Sequence, residues 1–285
     1  MGLKHTQSLC YTGIMILAVD IGGTKTLIGQ FKDGQLIHET RFDTDDNAQN
    51  FLNNLLYHLK DINPSQIEAI CIAAPGIIGH DGTILRCSNL PWKNFALPNA
   101  LTQTFRCPIF IENDANLGGL GEAQTLDTIP PLLLYLTIST GIGSGIITHG
   151  KINPALANSE AGRMILPTMD GPKAWQDFAS GSAIKEHFHH LATDINELED
   201  WEEIAYNLAL GLEVLIPILQ PNLIILGGSI GAFLDKYILE LTSLLQQRLP
   251  AYTPIPEIKQ AKHPNQAVIY GCYQYAVQQL TRPDH

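Results

Sequence analysis

Two glycine-rich segments carry the residue types best suited to holding a charged ligand. Asp20-Ile-Gly-Gly-Thr-Lys25 closes an apolar run near the N-terminus, and Ser139-Thr-Gly-Ile-Gly-Ser-Gly145 follows another at mid-chain. Clustered backbone N–H groups are what phosphate oxygens need, and a missing Cβ lets them approach the main chain. Gly22, Gly23, Thr24, Thr140, Gly141 and Gly143 are therefore candidate phosphate contacts. Asp20 offers hard oxygen of the kind that suits Mg2+, through water; a turn-initiating aspartate is the plainer alternative. Lys25 can neutralise phosphate charge or simply lie on the surface. Between the two segments stands Glu112-Asn-Asp-Ala-Asn116, after a further apolar run. Sites of α/β proteins gather at such strand ends, which makes Asp114 a candidate general base; its competing role is a helix N-cap.

The surrounding pattern supplies a scaffold for these residues. Ile16–Asp20, Leu27–Phe31 and Leu36–Thr40 predict a strand meander with a tight turn at Asp33-Gly34. The same layout recurs over 132–152, with its turn at His149-Gly150. Helical spacing of Phe51, Leu52, Leu55, Leu56, Leu59 and Ile62 predicts a helix over 47–60. Strands are expected at Ala69–Ala73, Pro108–Ile111 and Leu223–Leu226. Helices are expected near 201–219, 233–248 and 267–280, and after Asp114. That last helix holds Gly118, Gly119 and Gly121, each costing about 1 kcal/mol relative to alanine, so something should pack very close to it. A repeated meander with α/β units predicts two related lobes.

Composition narrows the function classes. The chain has 285 residues and a net charge of −11, from 17 basic and 28 acidic side chains. A nucleic-acid-binding surface would call for a basic stripe, so none is expected. No apolar run approaches the roughly 18 residues that span a bilayer. The five cysteines are scattered without a CxxC pair, as in a reduced cytoplasmic protein. His187, His189 and His190 lack metal-site spacing and read as surface residues. Trp92 and Trp201 read as packing anchors, and the acidic run around Glu199 as a helix start.

Taken in order and spacing, the two glycine segments, the Asn113-Asp114 motif, Ser180-Gly181 and Leu226-Gly-Gly-Ser229 resemble the ROK family of repressors and sugar kinases. The resemblance spans about Met15 to Ala276. It implies an α/β chain with the two-lobed, duplicated ribonuclease H-like fold of actin-like ATPases. Residues 15–113 would form a small lobe joined by the helix over 267–282, residues 114–266 a large lobe, and 1–14 a disordered extension. It further implies a sugar substrate, ATP and Mg2+ as cofactors, and a homodimer. In the family, positions matching Gly227 and Gly228 lie beside adenosine. Phosphoryl transfer to a sugar hydroxyl needs positioning, charge balance and a proton acceptor, the last assigned to Asp114.

The sugar side departs from the family. An AGE-x-GH segment is usual, and here Asn158-Ser-Glu-Ala-Gly-Arg-Met164 keeps Glu160 but places Arg163 where histidine is expected. The family's cysteine-rich zinc loop has no counterpart in the cysteine-free stretch 165–178, so no zinc site is expected. Packing through Pro167, Trp175 and Phe178 would have to replace it. The family's second sugar-binding glutamate falls on Gln176. Asn89, Asn113, Asp114 and Glu160 remain candidate hydroxyl ligands. Arg163 either pairs with Glu160 or reaches an anionic group. Polyphosphate-using relatives also lack the zinc loop, but their basic surface is not evident in this acidic chain, which favours ATP. The expectation is a hexose kinase, glucose-like and acting at O6. N-acetylmannosamine or N-acetylglucosamine are the alternative substrates. A non-catalytic sugar-binding protein is the other class, although the residues before Ile14 are too few for the helix-turn-helix of ROK repressors.

Overall fold

The computed structural model describes residues 15–263 and 266–281. The extension expected over 1–14, with Cys10, lies outside them. The described chain divides into two compact units, 15–112 with 275–281, and 113–274.

The first unit is built on β1 (Met15–Ile21), β2 (Lys25–Lys32), β3 (Gln35–Asp43), α1 (Ala48–Leu59) and β4 (Ala69–Ala74). A small antiparallel sheet of β5 (Gly76–Ile78), β6 (Ile84–Cys87) and β7 (Lys93–Phe95) follows, then α2 (Leu97–Leu101) and β8 (Ile109–Asn113). The main sheet runs β3-β2-β1-β4-β8. The apolar run of β1 up to Val19 and the wholly apolar β4 take its centre, where both faces are covered. Asn47 caps α1 by accepting from the N–H groups of Gln49 and Asn50. Phe51, Leu52, Leu55 and Leu59 form the buried face of that helix. Trp92 packs 4.6 Å from the Phe51 ring and donates its indole N–H to the Asp46 carbonyl, which makes it the anchor expected.

The second unit begins with α3 (Asp114–Ala123), followed by β9 (Leu132–Ile138), β10 (Ile142–Thr148) and β11 (Lys151–Ile152). A hairpin of β12 (Ile165–Thr168) and β13 (Gly171–Ala174) leads to α4 (Gln176–Ala179), α5 (Gly181–Phe188) and α6 (Leu198–Leu219). The unit continues through β14 (Leu223–Gly227), α7 (Gly228–Gly231), α8 (Leu234–Arg248) and β15 (Glu257–Gln260) to α9 (Ala267–Leu280), whose residues from Tyr275 belong to the first unit. Its sheet runs β11-β10-β9-β14-β15.

The two main sheets share one plan. In each, the central strand pairs antiparallel with its hairpin partner and parallel with the next α/β strand. Both meanders also turn alike: Asp33 and Gly34 have φ of 51° and 85°, and His149 and Gly150 of 50° and 76°. Two successive left-handed residues match the twist of the flanking strands, and Asp-Gly or His-Gly places glycine at the more demanding position.

The glycines of α3 have the close neighbours their number predicts. A Cβ on Gly118 or Gly119 would lie 2.8 Å from Tyr135 of β9, and one on Gly121 would lie 2.0 Å from the Ala267 carbonyl of α9. Where zinc was not expected, Trp175 is the anchor: it is fully buried, its ring covers Gly211 of α6, and its N–H reaches the Asn207 carbonyl. Phe178 supports the same core, whereas Pro167, expected to share that role, is exposed.

Candidate active site

In the first unit, Asp20 sits half-buried near the end of β1, in register with Leu27 and Ala73. The chain then turns tightly, the Gly22 N–H donating to the Lys25 carbonyl at 3.0 Å. A Cβ on Gly22 would stand 2.8 Å from that carbonyl, so the turn itself requires this glycine. Gly23 faces Asn89, whose Cβ lies 3.0 Å from where a Cβ on the glycine would be. Asn89 is thereby brought beside the first glycine turn from far along the chain. Thr24 and Lys25 are exposed, and the Lys25 ammonium pairs with the Asp43 carboxylate. The surface reading of Lys25 thus has a partner.

In the second unit, the N-cap of α3 is Asn113, not Asp114. The Asn113 carboxamide oxygen accepts from the N–H groups of Ala115 and Asn116, while Asp114 is the first helical residue. Asp114 Oδ1 also accepts from the Ala115 N–H at 2.8 Å. Burial pushes its carboxyl up to about 6, with the Glu160 charge adding to the rise and the Ala115 N–H opposing it.

Strand β10 packs against the chain next to both carboxylates. A Cβ on Gly145 would lie 2.4 Å from the Ala115 carbonyl, and one on Gly143 would lie 3.0 Å from the Ala115 Cβ and 2.9 Å from Thr137. The strand can therefore press against the first turn of α3 only without side chains there. Gly143 was expected to make room for phosphate; the structure gives it this packing reason. Between the two glycines, Ser144 is buried, and its hydroxyl donates to the Ser159 carbonyl and accepts from the Ala161 N–H. It grips the main chain on both sides of Glu160. The tight turn Ala161–Arg163 follows, with Gly162 backed against the Ile142 carbonyl. Of the two partners proposed for Arg163, the structure shows Glu160: Nε stands 3.4 Å from Oε2. The pair is not a buried one, since the side chains are 51% and 30% exposed.

The second glycine turn is encircled by the remaining candidates. Thr140 is exposed, and Gly141 lies with the Gln176 side-chain oxygen 3.1 Å from where its Cβ would be. That same oxygen approaches Gly162 equally closely. Gly228 has φ of 77° and abuts the Ile138 carbonyl, while Ser139 Oγ accepts from the Ser229 N–H. Gly227 lies under the Tyr135 hydroxyl, and Gly181 contacts the Ser139 carbonyl. Ser139, Ser144 and Tyr135 were not singled out from sequence, although Ser139 and Ser144 lie within the glycine motif. Of the three histidines, His187 ends on α5 and pairs with Glu203 at 3.1 Å; the helix stops at Phe188, so His189 and His190 are exposed beyond it. Among the described residues, no group of three or more His, Cys, Asp or Glu side chains is placed to hold a metal ion.

Comparison with known proteins gives these features a context. An N-acetylmannosamine kinase of Vibrio cholerae is 27% identical over 273 residues, covering 84% of this chain and 92% of the kinase. A xylose repressor of Caldicellulosiruptor bescii is 27% identical over 255 residues, 73% of this chain but 62% of the repressor. Similar proteins thus include both kinases and repressors. Among solved structures, a ROK family glucokinase from Streptomyces griseus, in complex with glucose and AMPPNP, superposes with a TM-score of 0.77 at 20% identity, covering 93% and 99% of the two chains. The fold is that of the actin-like ATPases. The sequence pattern of the ROK family matches residues 16–279, and the chain belongs to that family.

Proposed function

We propose that the protein is an ATP-dependent sugar kinase that phosphorylates a glucose-like hexose, at O6. The observation that carries this reading is Asp114. It stands at the first position of α3, directly after β8, in a chain of this family, and its carboxyl is pushed up to about 6. A base whose pKa lies near the working pH combines ionisation with proton affinity. In the step proposed, the sugar hydroxyl gives its proton to Asp114 as its oxygen bonds to the γ-phosphorus. The bond from that phosphorus to the bridging oxygen breaks, releasing ADP. Glu160, Asn113 and Asn89 would accept or donate hydrogen bonds to sugar hydroxyls. Gly22, Gly23, Thr24, Thr140, Gly141, Gly227 and Gly228 would line the nucleotide. Asp20 offers the hard oxygen that Mg2+ accepts, and the ion would neutralise phosphate charge as it develops.

N-acetylmannosamine or N-acetylglucosamine is the alternative substrate, favoured by the likeness to the Vibrio cholerae enzyme. A sugar-binding protein without turnover is favoured by the likeness to the repressor. Among the described residues, Cys71, Cys87, Cys107 and Cys272 form no disulfide, which fits a reducing, cytoplasmic setting, and the family resemblance supports a homodimer. No helix among the described residues is long and apolar enough to cross a membrane. The test is a panel of glucose, mannose, fructose, N-acetylglucosamine and N-acetylmannosamine with ATP·Mg2+. Glucose or mannose as the best acceptor supports the reading, an N-acetylhexosamine shifts it to the alternative, and transfer to none refutes the kinase.

A further inference from the structure

Glu160 is held from two directions by residues with no role of their own in the proposed chemistry. Ser144, buried in β10, fixes the main chain on either side of it through one hydroxyl, at 3.0 Å to the Ser159 carbonyl and 3.1 Å from the Ala161 N–H. Arg163, one short turn further on, meets the carboxylate itself through Nε. The same strand that carries Ser144 bears Gly143 and Gly145, against which the Asp114–Ala115 end of α3 is seated. One strand therefore sets both the position of Glu160 and the position of Asp114.

We propose that Ser144, on the strand that also seats Asp114, and Arg163 are positioning residues that hold the Glu160 carboxylate in place. Through it they set the pH at which the site becomes active. This rests on the sugar-kinase reading. The electrostatics follow from the groups that face this end of α3. Burial is the main cause that raises the Asp114 carboxyl, and the Glu160 charge adds to it. Strands β9 and β10 add no charged side chain, only the Tyr135 phenol beneath Gly118 and Gly119. β11 brings Lys151, and Glu122 sits at the far end of α3, accepting from the N–H groups of Lys262 and His263. Glu112 precedes Asp114 by two residues. Arg163 is thus the cation paired with the carboxylate that acts on the base. An ion pair this exposed contributes little to stability, so its loss should register in the site and not in folding.

The test is the pH profile of kcat/KM, whose acidic limb reports the base in the free enzyme. With Arg163→Met, Glu160 loses its paired cation, and the limb should move up by about half a pH unit, while Arg163→Lys should restore it. With Glu160→Gln the repulsion is gone, and the limb should move down, alongside a raised KM for the sugar. Ser144→Ala should raise that KM severalfold with a smaller change in kcat. Melting temperatures report whether each variant folds, and Arg163→Met and Glu160→Gln should melt close to wild type. Limbs of Arg163→Met and Glu160→Gln that superpose on the wild type would overturn the inference. If Asp114→Asn is inactive while those limbs stay fixed, this inference fails and the base assignment stands. If Asp114→Asn retains full activity, the base assignment itself fails.

Discussion

Adding one methyl group at Gly145 should push the base out of place. The residue is buried in β10 and its φ is outside the left-handed region, so alanine there adds no backbone strain. The added Cβ would fall 2.4 Å from the Ala115 carbonyl oxygen and 3.0 Å from the Asn116 Cα. Ordinary contacts need about 3.5 Å, so the first turn of α3 must retreat by about 1 Å or the strand must bow. Both neighbours are main chain and cannot rotate aside. Overpacking of this kind costs about 1–3 kcal/mol, a fall of several degrees in melting temperature for a chain this size. Ala115 donates to Asp114 Oδ1, so the carboxyl travels with the turn. A displacement of about 1 Å at a reacting group can cost on the order of 100-fold. The assay is steady-state phosphoryl transfer with the best sugar of the panel, beside a thermal melt. A Gly145→Ala protein with wild-type kcat and an unchanged melt would refute the argument that glycines in β10 seat the base.

Three further outcomes follow from single contacts. Asp114 binds its proton more tightly folded than unfolded, so ionising it weakens the fold as pH rises from about 4 through about 6; Asp114→Asn should be more stable than wild type at pH 8, by on the order of 1–3 kcal/mol, and alike at pH 4, as pH-dependent calorimetry will show. Gly211→Ala would set a Cβ 2.1 Å from the Trp175 ring, and should lower the melting temperature while leaving the sugar KM of the surviving folded fraction unchanged. Lys25→Ala removes a pair whose side chains are 65% and 79% exposed, so chemical denaturation should shift by less than about 1 kcal/mol; a rise in the KM for ATP would assign Lys25 to phosphate, and an unchanged one to the surface.

Much of this architecture was legible because its signals are local. Unbroken apolar runs gave β1, β4, β9 and β14, and Asp33-Gly34 and His149-Gly150 specified their turns outright. The final helix, Ala267–Leu280, matches its expected bounds. The three glycines of α3 announced a close neighbour, yet not that it would be Tyr135 on one side and α9 on the other, because such partners are fixed only by tertiary packing. The sheet of β5, β6 and β7 was missed, its strands being three or four residues long with no alternation to read. The hairpin of β12 and β13 was missed for the same reason. In the site, residue types pointed to Asp114 and Glu160, but not to Ser144, whose two bonds to residues 15 and 17 positions away leave no trace in spacing. The competing N-cap role of Asp114 was settled by its neighbour: Asn113 does the capping, which leaves the aspartate for other work.

The measurement that bears most directly on the central claim is transfer of labelled γ-phosphate from ATP·Mg2+ to the preferred sugar by wild type and Asp114→Asn, with sugar binding measured in parallel. General-base catalysis contributes about 10²–10⁴-fold. A loss of that size in kcat is expected for the variant, with sugar still bound and the fold intact. Equal rates for the two proteins would contradict it.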